Sequence, residues 1–129
     1  MGPTHLFWSD RDPGQMFARP VAVLSAGTRG DDAVVGPHRA LAGASGSHVF
    51  VRTSEPVELG RFRGKILAKA IDRLTDPAPE AWREVAGFEF FPFARPFGAA
   101  SEEYFVWMDM NPDRGEESWR IYAKRTEDL

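Results

Sequence analysis

ELGRFRGKILAKAIDRL, residues 58–74, decides the fold class, because its spacing breaks the strand-like punctuation on either side of it. Leu59, Phe62, Ile66, Leu67, Ala70, Ile71 and Leu74 recur at steps of three and four. That spacing lines one apolar helix face. Glu58, Arg61, Lys65, Lys69 and Asp72 fall opposite, on what reads as a solvated face. The pattern predicts a helix from about Glu58 to Leu74, although Gly60 and Gly64 each cost about 1 kcal/mol relative to alanine. Thr75-Asp76-Pro77 stops it. Pro79 to Val85 reads as a second, short helix with proline in its first turn, ended by Gly87.

Upstream, the chain is strand-like and rich in loops. Leu6-Phe7-Trp8 is a short apolar run stopped by a turn signal at Ser9 to Gly14. Pro20 to Leu24 and Ala33-Val34-Val35 are further strand candidates. Ala40 to Ser47 has three readings: a loop, a short helical turn, or a segment that approaches a ligand. His48 to Thr53 is β-branched and apolar, the clearest strand of this half.

Downstream, Gly87 to Arg125 holds most of the aromatic residues. Phe88 to Phe91 and Glu103 to Met110 read as strands. In the second, Tyr104, Val106 and Met108 point one way, and Phe105, Trp107 and Asp109 the other. Apolar residues on both faces imply a central place in a sheet. Trp119 to Lys124 alternates, with Trp119, Ile121 and Ala123 expected toward the core. These last two strands are expected to pair as a hairpin across a long loop. The whole reads as one α+β domain over residues 1–129: a mainly antiparallel sheet, with one longer and one short helix between N-terminal and C-terminal strands.

Composition narrows the function classes. The 43% hydrophobic and 27% charged fractions are those of an ordinary globular domain. There is no cysteine, which removes disulfides, thiol nucleophiles and cysteine-ligated zinc, and fits a cytoplasmic location. A formal charge of −3 argues against nucleic-acid binding through a net positive field. No apolar run reaches the roughly 20 residues that span a bilayer, and the first residues lack the pattern of a signal peptide.

No catalytic constellation stands out. His5, His38 and His48 share no metal-ligating spacing. The scattered glycines match neither a P-loop nor a dinucleotide fingerprint, and Ser45 and Ser47 lack a nucleophile elbow. Asp109 to Asp113 alternates oxygen ligands as a calcium loop does, but Arg114 and Arg120 stand where glycine and glutamate are needed. No metal or cofactor is expected. The acidic residues Glu102, Glu103, Asp109, Asp113, Glu116 and Glu117 are the candidate partner-binding surface, since opposite charge steers protein association. The alternative is a small-ligand or enzymatic pocket lined by His38, Phe50 and Trp107 beside the Ala40–Ser47 segment. A homodimer through an edge strand at Ser118–Lys124 is a third possibility.

One resemblance bears on these choices. The text Phe91-Pro92-Phe93, Pro96-Phe97-Gly98, Glu103 to Asp109, Pro112-Asp113 and Glu117 to Tyr122 resembles the C-terminal half of the SMI1/KNR4 (SUKH) superfamily. That family's helical N-terminus and leucine-proline segment have no counterpart here. The resemblance implies an α+β fold and a non-enzymatic protein-binding role; many bacterial members are immunity proteins that neutralise a secreted toxin.

Overall fold

The computed structural model describes residues 4–10, 14–21, 32–37, 39–58, 61–90, 98–110, 115–116 and 119–129, the side chains of residues 61, 88–90, 109 and 110 apart. Among these residues ten strands run β1 His5–Asp10, β2 Gln15–Pro20, β3 Ala33–Pro37, β4 Ala40–Ala44, β5 His48–Glu58, β6 Arg61–Ala70, β7 Trp82–Phe90, β8 Gly98–Ala100, β9 Tyr104–Met110 and β10 Trp119–Arg125. Every pairing is antiparallel. The strands form an N-terminal sheet β1-β2-β3, a central sheet β4-β5-β6-β7 and a C-terminal sheet β10-β9-β8.

The expected α+β class is therefore overturned, together with the fold implied by the SUKH resemblance. Among the described residues there is no helix of seven residues or more. The stretch expected as a helix over Glu58–Leu74 is instead the end of β5, all of β6 and a 3-10 turn at Ile71–Arg73, with Leu59 and Gly60 outside the described residues. The physical reason is burial on both sides. Ile66 and Ala68 face one core, while Leu67 and Ile71 pack against the other. A strand covered on two faces carries apolar residues at nearly every position, and its spacing mimics a helix. Lys69, expected on a solvated face, is 1% exposed. The short helix expected over Pro79–Val85 is a 3-10 turn, Pro79–Ala81, that leads into β7. Here the ladder with β6 takes up the backbone groups that a helix would have satisfied internally.

Other expectations hold. Ala33–Val35 lies in β3, His48–Thr53 in β5, and β9 and β10 pair as the expected hairpin. The Ala40–Ser47 segment resolves into β4 and a turn. Of the expected Pro20–Leu24 strand, Pro20 ends β2, and Ala22–Leu24 lie outside the described residues.

Two cores sit on the two faces of the central sheet. On one side Val49, Val51 and Leu74 cluster with Phe7, Met16, Ala18 and Val35 of the N-terminal sheet. On the other, Phe50, Ile66 and Ala68 cluster with Phe105 and Trp107 of the C-terminal sheet. The result is three sheets stacked as layers. In the second core the rings of Phe50 and Phe105 stack with centroids 4.1 Å apart, Phe105 and Trp107 lie at 5.7 Å, and Trp107 and Tyr122 at 5.5 Å. Such pairs contribute about 0.5–1.5 kcal/mol each beyond their buried area.

Gly98 makes room for this stack. A Cβ there would lie 2.7 Å from Phe105 Cζ and 3.0 Å from the Val106 carbonyl oxygen. Gly98→Ala is expected to destabilise the protein by about 1–3 kcal/mol, the usual cost of overpacking, read from urea unfolding. On the opposite core, Lys69 Nζ donates to the carbonyls of Val35 and Asp76. Lys69→Met leaves both acceptors unpaired and is expected to cost about 1–3 kcal/mol in the same measurement, even though it removes a buried charge.

Candidate functional site

Strand alternation assigns the two faces of the C-terminal sheet. Phe105 and Trp107 of β9 point inward, so their neighbours Tyr104, Val106 and Met108 point outward. Register carries that assignment to β10. Tyr122 pairs with Trp107 and Lys124 with Phe105, which leaves Trp119, Ile121 and Ala123 outward. This corrects the sequence expectation that Trp119, Ile121 and Ala123 face the core. Ile121 is 73% exposed and Trp119 52% exposed. The inversion brings the flat ring of Tyr122 against Trp107 on the second core.

The outer face is therefore apolar along much of its length. Ala99 pairs with Val106, Val106 with Ala123, and Met108 with Ile121, all on one surface. A groove of about 250 Å³ on it is lined by Gly98, Ala99, Val106, Trp107, Met108 and Ile121. At the end where β9 begins, the face meets a polar cleft of about 260 Å³ lined by Glu102, Glu103, Tyr104, Arg125 and Glu127. Arg125 Nη1 lies 3.1 Å from Glu127 Oε1, and its guanidinium lies 6.0 Å from the Tyr104 ring centroid. Hydrogen bonds with Tyr104, and then with Glu127, push its pKa above the ordinary arginine value. Three carboxylates against one guanidinium leave the cleft net negative.

The acidic candidates among the described residues are spread along the C-terminal sheet. Glu102 and Glu103 precede β9, whereas Asp109 is near its far end, about 20 Å away along the strand. Glu116 is exposed in the connection that follows, and Asp113 and Glu117 lie outside the described residues. Glu102 also holds the fold together, since its Oε1 accepts the Gly46 backbone N–H at 3.0 Å and so ties the β4–β5 turn to the C-terminal sheet. Of the alternative pocket residues, Phe50 is fully buried in the stack and Trp107 nearly so, although Trp107 reaches the groove; His38 lies outside the described residues.

The candidate serines and His48 serve the β4–β5 turn. Ser45 Oγ accepts the backbone N–H groups of Ser47 and His48, and Ser47 Oγ lies 2.9 Å from His48 Nδ1. Among the described residues, no group of three histidines or carboxylates is placed to hold a metal ion, and no helix is long and apolar enough to cross a membrane. Sequence reasoning missed the apolar outer face because no single strand carries it; only the pairing of Tyr122 with Trp107 reveals it. Compared with models of known protein families, with curated proteins and with solved structures, the chain has no match.

Burial pushes the His48 pKa below its ordinary value of 6.5, more than Asp72 raises it. The unfolded chain therefore takes up this proton first as pH falls. Its contribution is fully present above about pH 6.5 and is lost as pH drops toward the folded-state value. Urea midpoints measured from pH 7.5 down to 5 are expected to fall for the native protein, and more gently for His48→Gln.

Proposed function

We propose that the chain is a non-enzymatic protein-binding module that docks its partner on the outer face of the C-terminal sheet. The observation that carries this reading is the exposure of Trp119 and Ile121 beside Val106 and Met108 on one continuous surface. Covering a large apolar side chain fully is worth about 1.5–3 kcal/mol, and tryptophan is enriched among the residues that dominate binding energy. The negative cleft of Glu102, Glu103 and Glu127 at the end of the face adds direction. The fitting partner presents an apolar ridge with basic groups at one end, so that charge steers the encounter and apolar contact holds the complex.

The ligand-pocket alternative has less support. Phe50, Phe105 and Trp107 stack against one another in the space that a ligand would occupy, and the groove and the cleft both open to solvent. A toxin as the particular partner draws on the SUKH resemblance alone.

The test is capture from a lysate of the source organism on immobilised protein, with Met108→Glu as the comparison. Met108 is outward, so the variant is expected to keep its circular dichroism spectrum. A partner that binds the native chain at least tenfold better than Met108→Glu, and whose binding weakens with salt, supports the reading. Equal capture by both, or no capture by either, overturns it.

A further inference from the structure

The outer face of the C-terminal sheet runs along the seven residues of β9 beside β10, and β8 widens it to three strands at Phe105–Trp107. Strand geometry makes it about 20 Å long and, at its widest, about 10 Å between the outer strands. An α-helix is about 10–12 Å across, and about 14 of its residues span 20 Å. We infer that this face takes an amphipathic α-helix of a partner protein, laid along β9 with its basic end over the cleft of Glu102, Glu103 and Glu127. This names the kind of partner and rests on the reading of the outer face as a docking surface.

Backbone chemistry separates a helix from an extended segment. The groove on this face is lined by Gly98, Ala99, Val106, Trp107, Met108 and Ile121, whose side chains bring no carboxylate, amide or hydroxyl group. An extended segment laid over them would strip water from its backbone N–H and C=O groups and gain no acceptor or donor in return. A helix satisfies those groups internally and presents side chains alone. It also covers the exposed Trp119 and Ile121 on the same surface.

Charge sets the direction. Within the cleft Arg125 engages Glu127, Glu102 accepts the Gly46 N–H, and Glu103 is exposed beside them. Three carboxylates to one guanidinium favour a lysine or arginine there over an acidic residue. Tyr104 at the cleft and Met108 in the groove are four strand positions apart, about 13 Å. On a helix that distance takes about seven or eight residues, with the stem of the basic side chain covering the remainder. On an extended segment it takes about four. The fitting helix therefore carries apolar residues at i and at i+3 or i+4, and a basic residue about seven or eight positions from the apolar residue seated against Met108.

A random peptide library of about 16 residues, long enough for the whole face, tests this when displayed on phage, panned on the native chain and depleted on Met108→Glu. Enriched peptides are expected to share the helical spacing and the basic residue at that separation. A synthetic peptide of the enriched sequence is expected to gain helical circular dichroism on binding, and to bind Glu103→Gln roughly threefold more weakly than the native chain. Apolar residues at alternate positions, or enrichment without the basic residue, overturn the helix. So does a library that yields no peptide preferring the native chain. Self-association of the native chain that Met108→Glu abolishes also overturns it, and assigns the face to a second copy. Should the helix fall while a partner from the lysate still binds the native chain and not Met108→Glu, the protein-binding reading stands.

Discussion

The layered arrangement depends on one buried cation. Lys69 leaves the middle layer from β6 and carries its ammonium into the core beneath the N-terminal sheet. There it donates to the Val35 carbonyl of β3 at 2.7 Å and to the Asp76 carbonyl at 2.8 Å, and it lies 5.2 Å from the Trp82 ring centroid. One side chain thereby links β6, the N-terminal sheet, the turn after β6 and the first residue of β7. Burial lowers its pKa, Asp76 pushes it back up, and Arg73 and Arg39 lower it further. The turn it grips is itself fixed: Asp76 accepts the Ala78 backbone N–H at 2.9 Å and the Arg73 guanidinium at 2.7 Å. The first of these contacts is the larger cause of its lowered pKa, with the arginine next. The chain therefore leaves β6, reverses, and enters β7 with Trp82 already placed over the ammonium.

The same residue explains why the fold class was illegible. In ELGRFRGKILAKAIDRL, a lysine among apolar residues marks the wet side of a helix, and that inference fails only when the lysine has buried acceptors. Those acceptors come from Val35 and Asp76, one far off in sequence and the other beyond the turn. Local spacing carries no trace of either. Strands with simpler surroundings were readable. β5 begins with β-branched residues, and β9 alternates aromatic and aliphatic side chains. Gly60 and Gly64 are the local residues that disfavour a helix here, at about 1 kcal/mol each relative to alanine.

The candidate site was legible in charge but not in space. Acidic residues near the ends of β9 are adjacent in composition, yet the strand separates them. In β10, Trp119, Ile121 and Ala123 form the more apolar of two alternating sets, so hydrophobicity alone sends them inward. Packing reverses this. Phe50, Phe105 and Trp107 already fill the inner layer with rings, and Gly98 is the only size of residue that fits against Phe105. A flat ring from Tyr122 completes that stack better than a branched isoleucine would, and the choice of one residue fixes the facing of the whole strand.

The two outer layers treat their outward aromatic residues differently, and that contrast separates packing from function. On the N-terminal sheet, Trp8 stacks with Phe17 at 5.7 Å, and the Arg19 guanidinium lies 5.7 Å from the Trp8 ring centroid. Asp32 holds that guanidinium at 2.7 Å. The ring is thus covered by a cation that is anchored in turn, although Leu6 and Val34 remain exposed beside it. On the C-terminal sheet, Arg125 plays a comparable part for Tyr104 at one end only. Among the described residues no such clasp reaches Trp119 or Ile121. A sheet face with no need for contact would gain solubility from the device that its counterpart already uses. On the reading proposed above, that cover comes from a partner, which would bury Trp119 and Ile121 together.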